Sequence, residues 1–190
     1  MKRLTFAACI LALAAPCAFA QPSTWVSDPN HSEIDFGITH MSIAKVHGRF
    51  GGVNATLQYD AADITKSSVQ VTIDVSTVET GVQGRDNDLK GANYFDVVNF
   101  PKATFTSTSV TKNGNDLSVA GNLTLHGVTK PVVLDVEGPT PPITARGKVH
   151  MGFSATTTIS RTAFGIAPNM AAAMLGDEVK LTIELDAVKQ

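Results

Sequence analysis

The chain has 190 residues and a formal net charge of −2, with 15 Lys and Arg against 17 Asp and Glu. The charges are scattered and form no basic run, which excludes a nucleic-acid partner, since phosphate binding needs clustered cations. Both cysteines, Cys9 and Cys17, fall within the first 20 residues, so the rest of the chain has no disulfide framework, thiol catalysis or thiolate metal site.

Residues 1–20 read as an export signal. Lys2 and Arg3 make a positive start, Leu4 to Ala15 is apolar, and Ala18-Phe19-Ala20 has the small-x-small form of a signal-peptidase site. The apolar run is too short to span a bilayer for good. Cys17 would suit a lipoprotein, but Pro16 directly before it fits poorly, and cleavage after Ala20 is expected. The expectation is therefore a periplasmic protein without stable membrane insertion. It is a single domain over 21–190, carrying 13 basic against 17 acidic side chains once Lys2 and Arg3 are gone.

After a short polar lead comes Trp25, then a turn at Asp28-Pro29-Asn30. From His31 to His40, Ile34, Phe36 and Ile38 alternate with Glu33, Asp35 and Thr39, which predicts a strand with one buried face. Met41 to Lys45 reads as irregular or helical. Val46 to Tyr59 is extended but interrupted at Gly51-Gly52, a pair suited to bending a sheet. Ser67 to Val75 gives the cleanest alternation, with Val69, Val71, Ile73 and Val75 on one side.

Between Thr80 and Phe105 the alternation stops. Gly81 and Gly84 end the preceding strand. Arg85, Asp86, Asp88 and Lys90 fit one or two helical turns, then Tyr94, Phe95, Val97, Val98 and Phe100 lead to Pro101. Two readings suit such an insertion in an all-β chain: a cap over Thr80 to Pro101 covering an opening, or a surface loop packed on its own rings. Strands resume at Ala103 to Lys112. Asn113-Gly114 marks a hairpin, with Asn115 and Asp116 expected in its loop. Leu117, Val119, Leu123 and Leu125, then Val132, Leu134 and Val136, alternate in the next two strands. Ala145 to Ile159 reads as one long strand with Val149, Met151, Phe153 and Ala155 on a face. Asn169 to Leu175 reads as a helical turn, and Val179 to Ala187 as the last strand.

The absence of any βαβ rhythm leaves a sandwich or a closed barrel, and long strands, Gly bends and successive hairpins favour the barrel. The predicted fold is all-β, an eight-stranded antiparallel barrel with a short helical cap at one mouth. Such a barrel holds packed side chains or one small ligand. Apolar parity predicts the inward set Phe36, Ile38, Val71, Ile73, Phe105, Leu123, Leu125, Phe153, Leu181 and Ile183.

Several landmarks together resemble the YceI family of exported, lipocalin-like polyisoprenoid-binding proteins. They are Trp25, Asp28 and His31-Ser32; Phe36 and His40; Gly48-Arg49-Phe50; Thr80-Gly81, Arg85-Asp86 and Leu89; Tyr94-Phe95-Asp96; Phe100-Pro101; Phe105; Gly121 with Leu123 to Thr129; and Arg161 with Phe164-Gly165. Tyr94 departs from the Phe common at that place in the family and adds a hydroxyl. The resemblance implies a lipocalin-like barrel with an apolar tunnel, an isoprenoid lipid such as a polyprenyl phosphate or quinone as ligand, fatty-acid-like amphiphiles in some members, and homodimers among relatives. Phe50, Tyr94, Phe95, Phe100 and Phe164 join the inward set as expected ligand-binding residues.

No hydrolase, zinc-protease or P-loop motif is present. His31, His40, His47, His126 and His150 lie at no metal-pair spacing, and each reads as making a local hydrogen bond. No metal or cofactor is expected. Arg85 and Arg161 are candidates for a polar or anionic head group, because guanidinium grips phosphate bidentately; for Arg85 a salt bridge to Asp86 or Asp88 is the other reading. Three functions follow: a lipid carrier, an enzyme acting on such a lipid, or a barrel that is simply packed. The carrier, not an enzyme, is the expectation.

Overall fold

The computed structural model describes residues 21–190, and the expected export signal lies outside them. The strands are β1 Ser23–Ser27, β2 Glu33–His40, β3 Ala44–Phe50, β4 Val53–Tyr59, β5 Ser68–Asp74, β6 Lys102–Asn113, β7 Asp116–Leu125, β8 Val128–Glu137, β9 Ile143–Ala145, β10 Lys148–Ser160 and β11 Leu175–Lys189. One helix, α1 Gln83–Lys90, lies between β5 and β6.

All strands belong to one antiparallel sheet. β1 pairs with β4, and β2 with β3, so β1–β2 and β3–β4 act as two long bent staves. The bends fall at Asp28-Pro29-Asn30 and at Gly51-Gly52, where Gly52 takes φ +64°. From there the order runs β4-β5-β6-β7-β8-β10. The ring closes through β11. One edge of β11 pairs with β10 from Val188↔His150 to Glu178↔Ser160, and the other pairs with β2 and then β1. The result is a closed eight-stranded antiparallel barrel with one helix; β9 adds a short hairpin arm to β10.

Several expectations are corrected. The lead around Trp25 is a strand, β1. Met41 to Ile43 is a hairpin turn, with Met41 and Ser42 at φ 51° and 59°. Neither is a residue that favours the left-handed region, which is why the turn was not legible. It is held instead by long-range bonds, Met41 N–H to the Met174 carbonyl (2.9 Å) and Ser42 Oγ to the Ala173 carbonyl (3.2 Å). Asp116 belongs to β7, and the tight turn is Gly114-Asn115. The stretch from Ala145 to Ile159 is split by a turn at Arg146-Gly147. Between residues 169 and 175 the Ala171 carbonyl accepts from the N–H groups of Met174 (2.8 Å) and Leu175 (3.0 Å), a single turn that runs straight into β11 at Leu175.

The two ends of the barrel differ. Trp25, Ala55, Leu57, Met151 and Ala187 interlock at one end, with Phe153 and Leu185 packed against them. Trp25 is 3 % exposed, and its Nε1 donates to Ser23 Oγ at 2.9 Å. Deleting a buried ring of this size costs about 3–5 kcal/mol. Trp25→Ala should lose that much in urea unfolding followed by circular dichroism.

Candidate functional site

The other end of the barrel is hollow. A cavity of about 480 Å³ runs between the strands. Its wall follows the two-residue period: Ile34, Phe36 and Ile38 from β2, Val71 and Ile73 from β5, Phe105 from β6, Leu123 and Leu125 from β7, and Val179, Leu181 and Ile183 from β11. Two inward-facing glycines help keep it open. A Cβ on Gly48 would stand 2.4 Å from the Phe36 ring, and one on Gly121 would stand 2.3 Å from the Phe105 ring. Each ring therefore lies along the neighbouring strand and does not cross the lumen.

The Thr80 to Pro101 stretch covers one mouth. Arg85, Asp88 and Leu89 of α1, then Tyr94 and Phe95, face the cavity. Phe36 packs on Phe50 at 5.5 Å between centroids, and Phe50 meets Phe95 edge-on at 5.3 Å. This row of rings carries the apolar wall into the cap. Arg85 makes neither expected salt bridge. Its Nε donates to Thr80 Oγ1 at 2.7 Å and its Nη2 to the Thr80 carbonyl at 3.0 Å, while Asp86 accepts from the Thr80 N–H at 2.8 Å. The first turn of α1 is thus tied to the chain that leads into it at Thr80, with Arg85 at the cavity edge.

Arg161 is corrected. It borders the cavity, but it is 2 % exposed and its hydrogen bonding is spent on the backbone. Nε donates to the Gly176 carbonyl, Nη1 to those of Ile166 and Ala167, and Nη2 to those of Met170 and Leu175. All five guanidinium N–H groups are used, so none remains for a head group. Residues 162–176 wrap around this side chain, which gives an irregular loop the donors it lacks.

Three expected wall residues lie elsewhere. Phe153 packs into the filled end of the barrel. Phe164 is buried beneath the loop outside the cavity, and its carbonyl is 3.1 Å from His126 Nδ1. Phe100 packs edge-on against His126 at 4.7 Å and covers Gly127. Phe100-Pro101, Leu123 to Thr129 and Phe164-Gly165, three separate stretches of the sequence, therefore meet at one anchor that ties the cap to the β7–β8 turn. Cavity residues not anticipated include Val132, Leu134, Ile159, Met170, Met174 and Leu175. The first three sit on the alternating face of their strands and could have been read from it. Met170 and Met174 come from a loop with no period, and Leu175 opens β11 just after it.

The histidines at the packed end make local contacts. His31 Nδ1 lies 3.1 Å from Asp28 Oδ2, and His150 Nδ1 lies 2.8 Å from Asp186 Oδ1. The N–H of Asn30, then His31, holds the Asp28 carboxyl below the ordinary carboxylate range. Among the described residues Asp28, His31 and Asp186 bring possible ligand atoms within 4.8 Å of one another.

A YceI-like domain model matches residues 25–187. The chain belongs to the YceI family. It is 37 % identical to Protein YceI of Salmonella newport over 164 residues, covering 84 % of this chain and 83 % of that one. A UPF0312 protein of Shewanella baltica is 37 % identical over 192 residues, with 97 % and 98 % covered. Among solved structures, the Campylobacter jejuni YCEI protein superposes with a TM-score of 0.71 at 32 % identity, covering 80 % of this chain and 90 % of that one. A polyisoprenoid binding domain from Saccharophagus degradans superposes with a TM-score of 0.63 at 16 % identity, covering 89 % and 99 %, a likeness of fold.

The role of Arg161 can be separated from ligand binding. Arg161→Met leaves five carbonyls without their donor, and breaking a buried charged network costs about 3–5 kcal/mol. Urea unfolding of protein stripped of lipid should show that loss, and limited proteolysis should cut within 162–176. A loss of less than about 1 kcal/mol with an uncut loop would contradict this role.

Proposed function

We propose that this YceI-family protein is a periplasmic, non-enzymatic carrier for a long apolar isoprenoid-type lipid, a polyprenyl phosphate or quinone, with the tail in the barrel and the head near the cap. The observation that carries this reading is the lining. The cavity is walled by aliphatic and aromatic side chains, and its charged residues, Arg85, Asp88 and Arg161, come from α1 and the end of β10. Its volume of about 480 Å³ falls in the range of ordinary ligand pockets. The hollow interior argues against a barrel that is simply packed. The solved structural relative described as a polyisoprenoid binding domain and the export signal read in the sequence support the ligand class and the compartment.

Energetics assign affinity to the tail. Burying a methylene contributes about 0.8 kcal/mol, so about 20 carbons offer nominally more than about 10 kcal/mol before the costs of ordering and association. A charge-assisted hydrogen bond to the head contributes about 1.5–3 kcal/mol. Phe105, 6 % exposed on the wall, is the sensitive position. Phe105→Arg sets an unpaired charge in an apolar space and should nearly abolish binding. Arg85→Ala should weaken it about 10- to 100-fold.

Organic extraction of purified protein with mass spectrometry identifies the lipid, and titration of each variant, its fold checked by circular dichroism, gives the ranking. Recovery of a fatty acid or amide amphiphile would replace the isoprenoid. If Arg85→Ala were the more damaging change and Phe105→Arg bound normally, the ligand would be held by its head outside the barrel.

A further inference from the structure

The cavity has a lip built for an apolar surface. The β2–β3 turn and the loop before β11 are joined by the bonds from Met41 and Ser42 to Met174 and Ala173. Together they hold an unusual share of apolar side chains in water: Ile43 is 83 % exposed, Met174 48 %, Met41 46 % and Met170 40 %. Ala171, Ala172 and Ala173 between the two loop methionines are exposed as well. Residues 162–176 contain no charged side chain, and neither do residues 41–44. A contiguous exposed apolar patch of this kind marks an interaction site.

Its position gives the partner. Met170 and Met174 belong both to the lip and to the cavity lining, so the patch is continuous with the inner wall. We propose that this lip docks on the surface of a lipid bilayer, with Ile43 and the loop methionines entering the acyl boundary, and that ligand passes between bilayer and barrel across Met170 and Met174. This deepens the carrier reading and rests on it for the cargo. The lip matches the hydrocarbon in lacking charge, and its side chains stand out from loop tips where they can insert. A tail crossing it would stay in contact with apolar atoms throughout and never pay for exposure to water. Thioether side chains adapt to an irregular, fluid surface. Arg161, by gripping the carbonyls of Met170 and Leu175 from inside, holds the loop in place while its outer side stays apolar. Because the lip itself carries no cation, docking should depend little on salt.

The test is flotation of the mature protein with phosphatidylcholine vesicles, in low and high salt, alongside ligand titration in solution. Ile43→Asp and Ala172→Asp alter the lip at positions outside the cavity lining. Val133→Asp places the same charge at a position 52 % exposed on β8 and serves as the control. The expected result is that wild type and Val133→Asp float, that each lip variant partitions at least about tenfold less, and that all four bind ligand equally in solution. Lip variants that float like wild type would overturn the proposal, as would wild type that binds ligand but never floats. Sedimentation covers the other occupant: a wild-type dimer that the lip variants convert to monomer, with no flotation, would make the lip a subunit interface and overturn membrane docking. Flotation that depends on the lip in a protein that binds no lipid in solution would refute the carrier reading and leave the docking surface standing.

Discussion

The backbone ladder between β10 and β11 is the constraint on which the rest depends. β11 gives one edge to β10 from Glu178 to Val188 and shares the other between β2 and β1. With both of its edges used, β11 closes the ring and the lumen becomes an interior. Closure at eight staves also limits the lumen's width to what side chains can fill. Whether a given level is solid or hollow then depends only on the residues that point inward. Trp25, Met151 and Phe153 fill one end. At the other, Gly48 and Gly121 let Phe36 and Phe105 lie along the wall, and space remains.

A hollow end needs covers, and covers made of irregular chain must satisfy their own backbone groups. The two irregular segments here solve this with an arginine each. Arg85 ties α1 to Thr80, helped by Asp86. Arg161 supplies five donors to the loop that wraps it. Both sit beside the cavity, yet they differ in chemistry. Arg85 is partly exposed on a helix at the mouth, whereas Arg161 is buried and wholly committed. The two segments are also joined, Ala167 N–H donating to the Asn93 carbonyl at 3.0 Å.

The wall was legible in the sequence because a strand's period is two and a closed barrel has one inside. Val71, Ile73, Leu181 and Ile183 could be placed by parity alone. Parity says which way a residue points but not how far along the barrel the space extends, which is why Phe153 was expected in the cavity and packs in the filled end. Phe100 and Phe164 were misplaced for a different reason. An aromatic in a loop is equally suited to lining a pocket or anchoring a lid, and only the contact with His126 decides. Arg161 was misread because a guanidinium suits phosphate and carbonyl oxygens alike, and the carbonyls that take it lie 5 to 15 residues on in a loop with no period. The Met41 turn carries no Gly, Asn or Asp for its left-handed positions, and it is held by its bonds to the loop before β11.

The hollow also bears on stability. Core volume left without side chains costs about 24 cal/mol per Å³ when the surroundings cannot collapse. Contents and fold are therefore coupled: any ligand that binds the folded chain alone stabilises it by mass action. A tail lying between Phe36, Phe105 and Leu181 would do for the hollow end what Trp25 and Met151 do for the packed one. The same closed ladder that makes the lumen an interior would therefore make any occupant part of the core.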